Sequence, residues 1–166
     1  MQTADHLKVP MVITEQYPKG LGGTVPDLKV QSFQAPVFAK TQFSMLAPEV
    51  VDHLRSLHAD TLAPDQFTYL LCGIEAHVCV LQTALDLRDR GARVQILADA
   101  TSSRHPFERL LAFDRMKTAG CQLTTVESAA FQLMADATHP KFKQIQTLFI
   151  TERPETGLDG TRCESK

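Results

Sequence analysis

The stretch FTYLLCGIEAHVCVLQTALDLRDRGARVQILAD, residues 67–99, decides the fold. Its opening run, 67–73, is almost continuously apolar, as expected of a strand covered on both faces. A short turn, IEAH, leads into a helical pattern from about 77 to 90 that Gly91 closes. Residues 93–99 then return to an apolar, β-rich run. Strand, helix and strand joined this way form a right-handed crossover between parallel neighbours.

Working outward, the same alternation recurs. Three more apolar runs lie at 9–14 (VPMVIT), 36–40 (PVFAK) and 121–126 (CQLTTV), each read as a buried strand. Pro48 opens a helix through EVVDHLRSL, and a helix at about 105–119 is closed by Gly120. Two helical patterns follow at 128–137 and 140–150; in the first, Ser128 is the expected N-cap, and Ala129, Leu133 and Ala137 share one stripe. The chain opens on MQTADHLK, the end of a helical pattern. These features predict an α/β domain of three layers, α/β/α, built on a parallel sheet over residues 1–150, followed by a flexible tail over 151–166. No internal repeat or low-complexity segment is present.

Composition narrows the function. The 166 residues suit one domain, and 43% hydrophobic against 22% charged residues supply a real core. Lys and Arg number 17 against 19 Asp and Glu, a net charge of −2, so no basic surplus exists to neutralise a phosphate backbone. A nucleic-acid partner is not expected. The first residues lack the charged and apolar regions of a signal peptide, and no apolar run is long enough for a membrane span. Cys72, Cys79, Cys121 and Cys163 form no CxxC pair, which argues against a zinc site or a disulfide scaffold and favours a reducing, cytoplasmic setting. A dinucleotide site is disfavoured because no GxGxxG follows the first strand.

Two residues stand out for chemistry. Cys79 falls in the first turn of the helix after the 67–73 strand, where unpaired N–H groups and the helix dipole favour a thiolate and an oxyanion. The competing reading is a small buried residue packing helix on sheet. Lys40 ends its strand at the carboxyl edge, where folds of this kind bind ligands. A cation beside a thiol stabilises the thiolate and orients protons; an ordinary surface lysine is the alternative. GLGG, 20–23, lacks the lysine and helix of a phosphate loop and reads as a flexible loop over the crevice. His53 and His58 have the wrong spacing to share a metal and read as solvated, and His77 reads as a surface residue of the turn. Cys72 and Cys121 read as inert core thiols, and Cys163 as the exposed one.

GIEAHVCV (73–80), KTQFSM (40–45) and TEQYPKGLG (14–22) together resemble the isochorismatase-like cysteine hydrolases, most closely the eukaryotic isochorismatase domain-containing proteins. DLRDRGARVQILADATSSR and ATHPKFKQIQTL extend the likeness over about residues 4–150. The resemblance implies a Rossmann-like, six-stranded parallel sheet and a Cys, Lys, Asp triad that cleaves amide, imide or related bonds through an acyl-thioester. Carried over by position, Cys79 is the nucleophile and Lys40 the triad lysine. A cis peptide at Ile74-Glu75 is implied, with the backbone amides of Glu75 and Cys79 as the oxyanion hole. Gln16, Tyr17 and Phe43, in the matching segments, are candidate pocket residues.

The resemblance also implies an aspartate at the end of a first, central strand. Nothing like that segment precedes Met11. The expectation is therefore a sheet lacking its first strand, in a chain shortened at its N-terminus or one completed by an oligomer. Such a sheet either leaves two apolar edges unpaired or forces them together. Several lost side chains at roughly 1.5 to 3 kcal/mol each rival the roughly 5 to 15 kcal/mol stability of a whole domain. The zinc ligands of the family's nicotinamidase branch lie just after that aspartate and beyond, so no metal site carries over, and no cofactor is expected. Glu15 and Asp99, at strand ends, are possible substitute carboxylates, though turn or capping roles suit them better; the Glu75 side chain is expected to point away.

Two functions follow as expectations. The first is a cysteine hydrolase of a small amide- or imide-type substrate, without nucleic-acid or membrane partners and self-associating as a homo-oligomer. The alternative is a catalytically impaired member acting by protein-protein interaction. The expected location is cytoplasmic, or mitochondrial if a targeting segment belongs to the protein.

Overall fold

In the computed structural model, which describes residues 1–57 and 67–150, five strands alternate with helices and every strand pairing is parallel. Strands β1 (Ile13–Gln16) and β2 (Val37–Lys40) form one sheet. Strands β3 (Thr68–Gly73), β4 (Arg93–Thr101) and β5 (Gln122–Thr124) form a second, in that order. The helices are α1 (Gln2–His6), α2 (Pro18–Leu21), α3 (Pro48–Leu57), α4 (Leu81–Asp89), α5 (Pro106–Thr118), α6 (Val126–Met134) and α7 (Phe142–Ile150). The expected α/β architecture is present, with its sheet in two pieces. Among the described residues no ladder joins β1 to β3. The 151–166 stretch, His58 and Cys163 lie outside the described residues.

Apolar burial holds the pieces together. Val50 and Leu54 of α3, Leu81, Ala84 and Leu87 of α4, and Ala112, Phe113 and Met116 of α5 meet Leu71, Val94 and Ile96 of the second sheet. Val12 and Phe38, from the β1–β2 side, pack against the same core. Water exclusion thus does what backbone pairing does not. A separate cluster of Ala130, Met134 and Ile145, with Leu7, Phe131 and Phe142 against it, gathers α1, α6 and α7, and α6 also packs on β4.

Several expectations need correction. β1 starts four residues after the 9–14 run begins, because Pro10 has no N–H to donate and Lys8 turns the chain at φ 57°. Pairing begins when the Ile13 N–H donates to the Pro36 carbonyl at 3.0 Å. The cap of α6 is Thr125, whose hydroxyl accepts the Ser128 N–H at 3.1 Å, so Ser128 is inside the helix rather than capping it. GLGG is not one loose loop: Pro18 starts a single helical turn that takes in Gly20 and Leu21, and Gly22 ends it at φ 82°. Cys72 is exposed rather than in the core, because β3 is an edge strand. Surrounding protein still desolvates its thiol and raises its pKa. His53 is half-buried, its ring 5.7 Å from that of Phe38, since α3 lies over β2.

Candidate active site

The site forms where the carboxyl ends of β2 and β3 meet. Gln16 stands opposite Lys40 in the β1–β2 register, and the Tyr17 N–H donates to the Lys40 carbonyl at 2.7 Å. Lys40 is 6% exposed, so its ammonium must find acceptors within the protein. Nζ donates to Gln16 Oε1 at 2.5 Å, to the Phe43 carbonyl at 2.9 Å and to the Gln42 carbonyl at 3.0 Å. Cys79 Sγ lies 3.7 Å from the same nitrogen.

Across from it, β3 ends at Gly73, whose φ of 124° suits only glycine. The Ile74-Glu75 peptide is cis. Backbone bonds stitch this turn to the end of β4: the Ser102 N–H donates to Gly73 at 3.0 Å and the Ala76 N–H donates to Ser102 at 2.8 Å. The helix then opens with one π-wound turn, Ala76–Val80, before α4 proper. Cys79 sits half-buried in that turn, with Gln16 Oε1 4.0 Å from its sulfur.

Thr83 locks the two halves. Its buried hydroxyl donates to the Cys79 carbonyl at 2.6 Å and accepts the Met45 N–H at 2.8 Å, bracing the cysteine turn against the loop that follows Lys40. Sequence reading missed this residue, because a threonine within an amphipathic helix carries no mark of such a role. It also missed the setting of His77, which is half-buried with Nδ1 2.9 Å from Ser103 Oγ and 3.7 Å from Glu75 Oε2. The ring fills the space between the turn and the β4–α5 loop and is not a plain surface group.

The candidate carboxylates go elsewhere. Glu75 accepts the Arg104 N–H at 2.9 Å, and Asp99 accepts the Val126 N–H at 2.8 Å at the start of α6. Glu15 accepts the Thr24 N–H at 2.6 Å; bonds from Thr24 hold its carboxyl below the usual range. Among the described residues no carboxylate lies within ion-pair distance of Lys40. Cys79, Lys40 and Gln16 are therefore brought together, while the side chains of Tyr17 and Phe43 are about half exposed, at 51% each, and meet Lys40 through backbone atoms. Among the described residues no group of three or more His, Cys, Asp or Glu is placed to hold a metal ion, and no helix is long and apolar enough to cross a membrane.

Comparison with known proteins matches residues 1–128 to the isochorismatase domain family. The chain is 46% identical over 158 residues to isochorismatase domain-containing protein 2 of Xenopus laevis, covering 95% of this chain and 73% of that protein. Among solved structures it resembles the MAR1 ribonuclease of Caenorhabditis elegans, with a TM-score of 0.82 and 46% identity over 94% of this chain and 77% of the other. It also resembles the YcaC gene product of Escherichia coli, described as an octameric hydrolase of unknown specificity, with a TM-score of 0.69 and 26% identity over 89% and 77%.

Proposed function

This chain belongs to the isochorismatase family, and on that premise we propose that it is a cysteine hydrolase of a small amide- or imide-type substrate. One observation carries the reading: Lys40 Nζ is 3.7 Å from Cys79 Sγ. The cation favours the thiolate, and Sγ attacks the substrate carbonyl carbon. The backbone amides of Glu75 and Cys79 receive the oxyanion. Collapse breaks the carbon–nitrogen bond, and the departing amine takes its proton from Lys40. Water then attacks the thioester, returning a proton to Lys40 and the thiolate to Cys79. Acid and amine are released with one water consumed. Lys40 thus carries the proton in both half-reactions.

The test is a screen of small amides and imides with the wild-type chain, Cys79→Ser and Lys40→Met. Turnover that either substitution abolishes supports the reading. Turnover that survives Cys79→Ser overturns it.

A second reading, a family member that acts by protein-protein interaction without turnover, is favoured by the absence of a carboxylate beside Lys40 among the described residues. No turnover of any amide by a chain whose Cys79 is nonetheless labelled would support it. The C. elegans relative is called a ribonuclease; here the net charge of −2 favours a small substrate, and an RNA substrate belongs in the same screen. Self-association follows the octameric relative and is read by light scattering. The setting proposed is reducing, cytoplasmic or mitochondrial.

A further inference from the structure

We propose that the outward face of α5 is a two-fold interface, against which a second copy of this chain packs its own α5 antiparallel. The inference rests on the self-association proposed above and names the surface that carries it. One side of the helix holds Arg109, Ala112, Phe113 and Met116, all buried. The other presents Phe107, 67% exposed, together with exposed Leu110 and Leu111, and then Asp114 and Thr118 further along. Positions 107, 111, 114 and 118 follow helical spacing, so they form one stripe pointing away from the core. Single exposed apolar side chains are ordinary, but three gathered on one side of a 13-residue helix mark a contact face.

That face is its own complement. Toward its C-terminal end lies a hollow of about 450 Å³, largely apolar and lined by Leu85, Leu111, Asp114, Arg115, Thr118 and Ala119. Phe107 projects at the opposite end, about 16 Å along the axis from Thr118. A two-fold axis through the middle of α5 turns a second helix end for end, so each Phe107 enters the hollow of the other copy. Glu108 and Arg115 share one flank of the stripe, and the same operation brings Glu108 of each copy to Arg115 of the other. Among the described residues neither forms an ion pair within the chain, whereas Asp114 is already held by Lys117 at 2.6 Å. Projection and hollow, acid and cation thus lie in inverted order on one helix, an arrangement that a copy of the same helix satisfies and that fixes its register.

The experiment is sedimentation velocity of the full chain over a range of concentrations. It compares wild type with Phe107→Ser, Glu108→Arg, Arg115→Glu and the double variant Glu108→Arg/Arg115→Glu, each checked by circular dichroism. Wild type should form dimers or larger even-numbered assemblies, and Phe107→Ser should halve the mass at equal concentration. Each single charge reversal should weaken association about tenfold, because the interface holds the pair twice. The double reversal should restore it, a rescue that a merely damaged fold does not give. If Phe107→Ser does not fold, the charge reversals decide alone. Assemblies that none of the folded variants changes overturn this interface and leave self-association standing. A wild-type chain that stays monomeric overturns both.

Discussion

Replacing Thr83 with valine keeps the shape of the side chain and removes one hydroxyl from a site that is 1% exposed. Two bonds go with it, the donation to the Cys79 carbonyl at 2.6 Å and the acceptance of the Met45 N–H at 2.8 Å. The Met45 donor is left without that acceptor, a loss of about 1 to 3 kcal/mol. The added methyl returns up to about 0.8 kcal/mol. A net destabilisation of about 0.2 to 2.2 kcal/mol follows, or a Tm lower by up to about 9 °C for a chain of this size. Thr83→Ser keeps both hydrogen bonds and loses one methyl, about 0.8 kcal/mol. The two variants are close in stability and differ in what they do to the site. Urea unfolding gives the stability, and alkylation of Cys79 gives the geometry. Thr83→Val should slow that alkylation, because the Lys40 loop is no longer braced on the cysteine turn, while Thr83→Ser should not. A Thr83→Val protein within about 0.5 kcal/mol of wild type that labels at the wild-type rate would refute the reasoning.

Three further outcomes are expected. Glu15, held below its ordinary value of 4.5 by Thr24, contributes stability that is present above that value and lost as pH falls through its folded-state value; proteolysis of the 20–28 stretch should rise on acidification, and Glu15→Gln should show that rise already at neutral pH. Thr125→Ala removes the cap of α6 and should cost about 1 kcal/mol, measured by thermal unfolding, while Ser128→Ala should cost less because its hydroxyl caps nothing. Desolvation by surrounding protein raises the thiols of exposed Cys72 and buried Cys121, so both should alkylate more slowly than Cys79 at neutral pH; peptide mapping that finds Cys72 labelled first would contradict this.

The parallel α/β plan was legible because nearly continuous apolar runs such as FTYLLCG and RVQILAD can be satisfied only with cover on both faces. The meeting of Lys40 with Cys79 was legible for a related reason: in parallel strands every carboxyl end lies on one edge, so strand-terminal residues converge whatever their separation in sequence. What stayed hidden depended on partners far along the chain. Cys72 has the sequence surroundings of a core thiol, and its exposure follows from which edge of β3 lacks a neighbour. Thr125 outranks Ser128 as cap because the Asp99 carboxylate takes the adjacent Val126 N–H, a contact across 27 positions. The π-wound turn at 76–80 and the bracing hydroxyl of Thr83 leave no local pattern at all.

The divided sheet gives the Lys40–Cys79 distance a second meaning. In an unbroken parallel sheet the backbone ladder sets strand spacing, and side chains at the edge inherit it. Here the two sheet pieces are linked across the gap by apolar packing and by contacts of Lys40, Gln16 and Thr83. The separation of ammonium and sulfur is therefore a gauge of how the pieces are aligned, and any slide between them is read first at the reacting atoms. Alignment and reactivity share one coordinate. A molecule that grips both sides acts as a strut, stiffening the whole chain and setting the gauge in the same step.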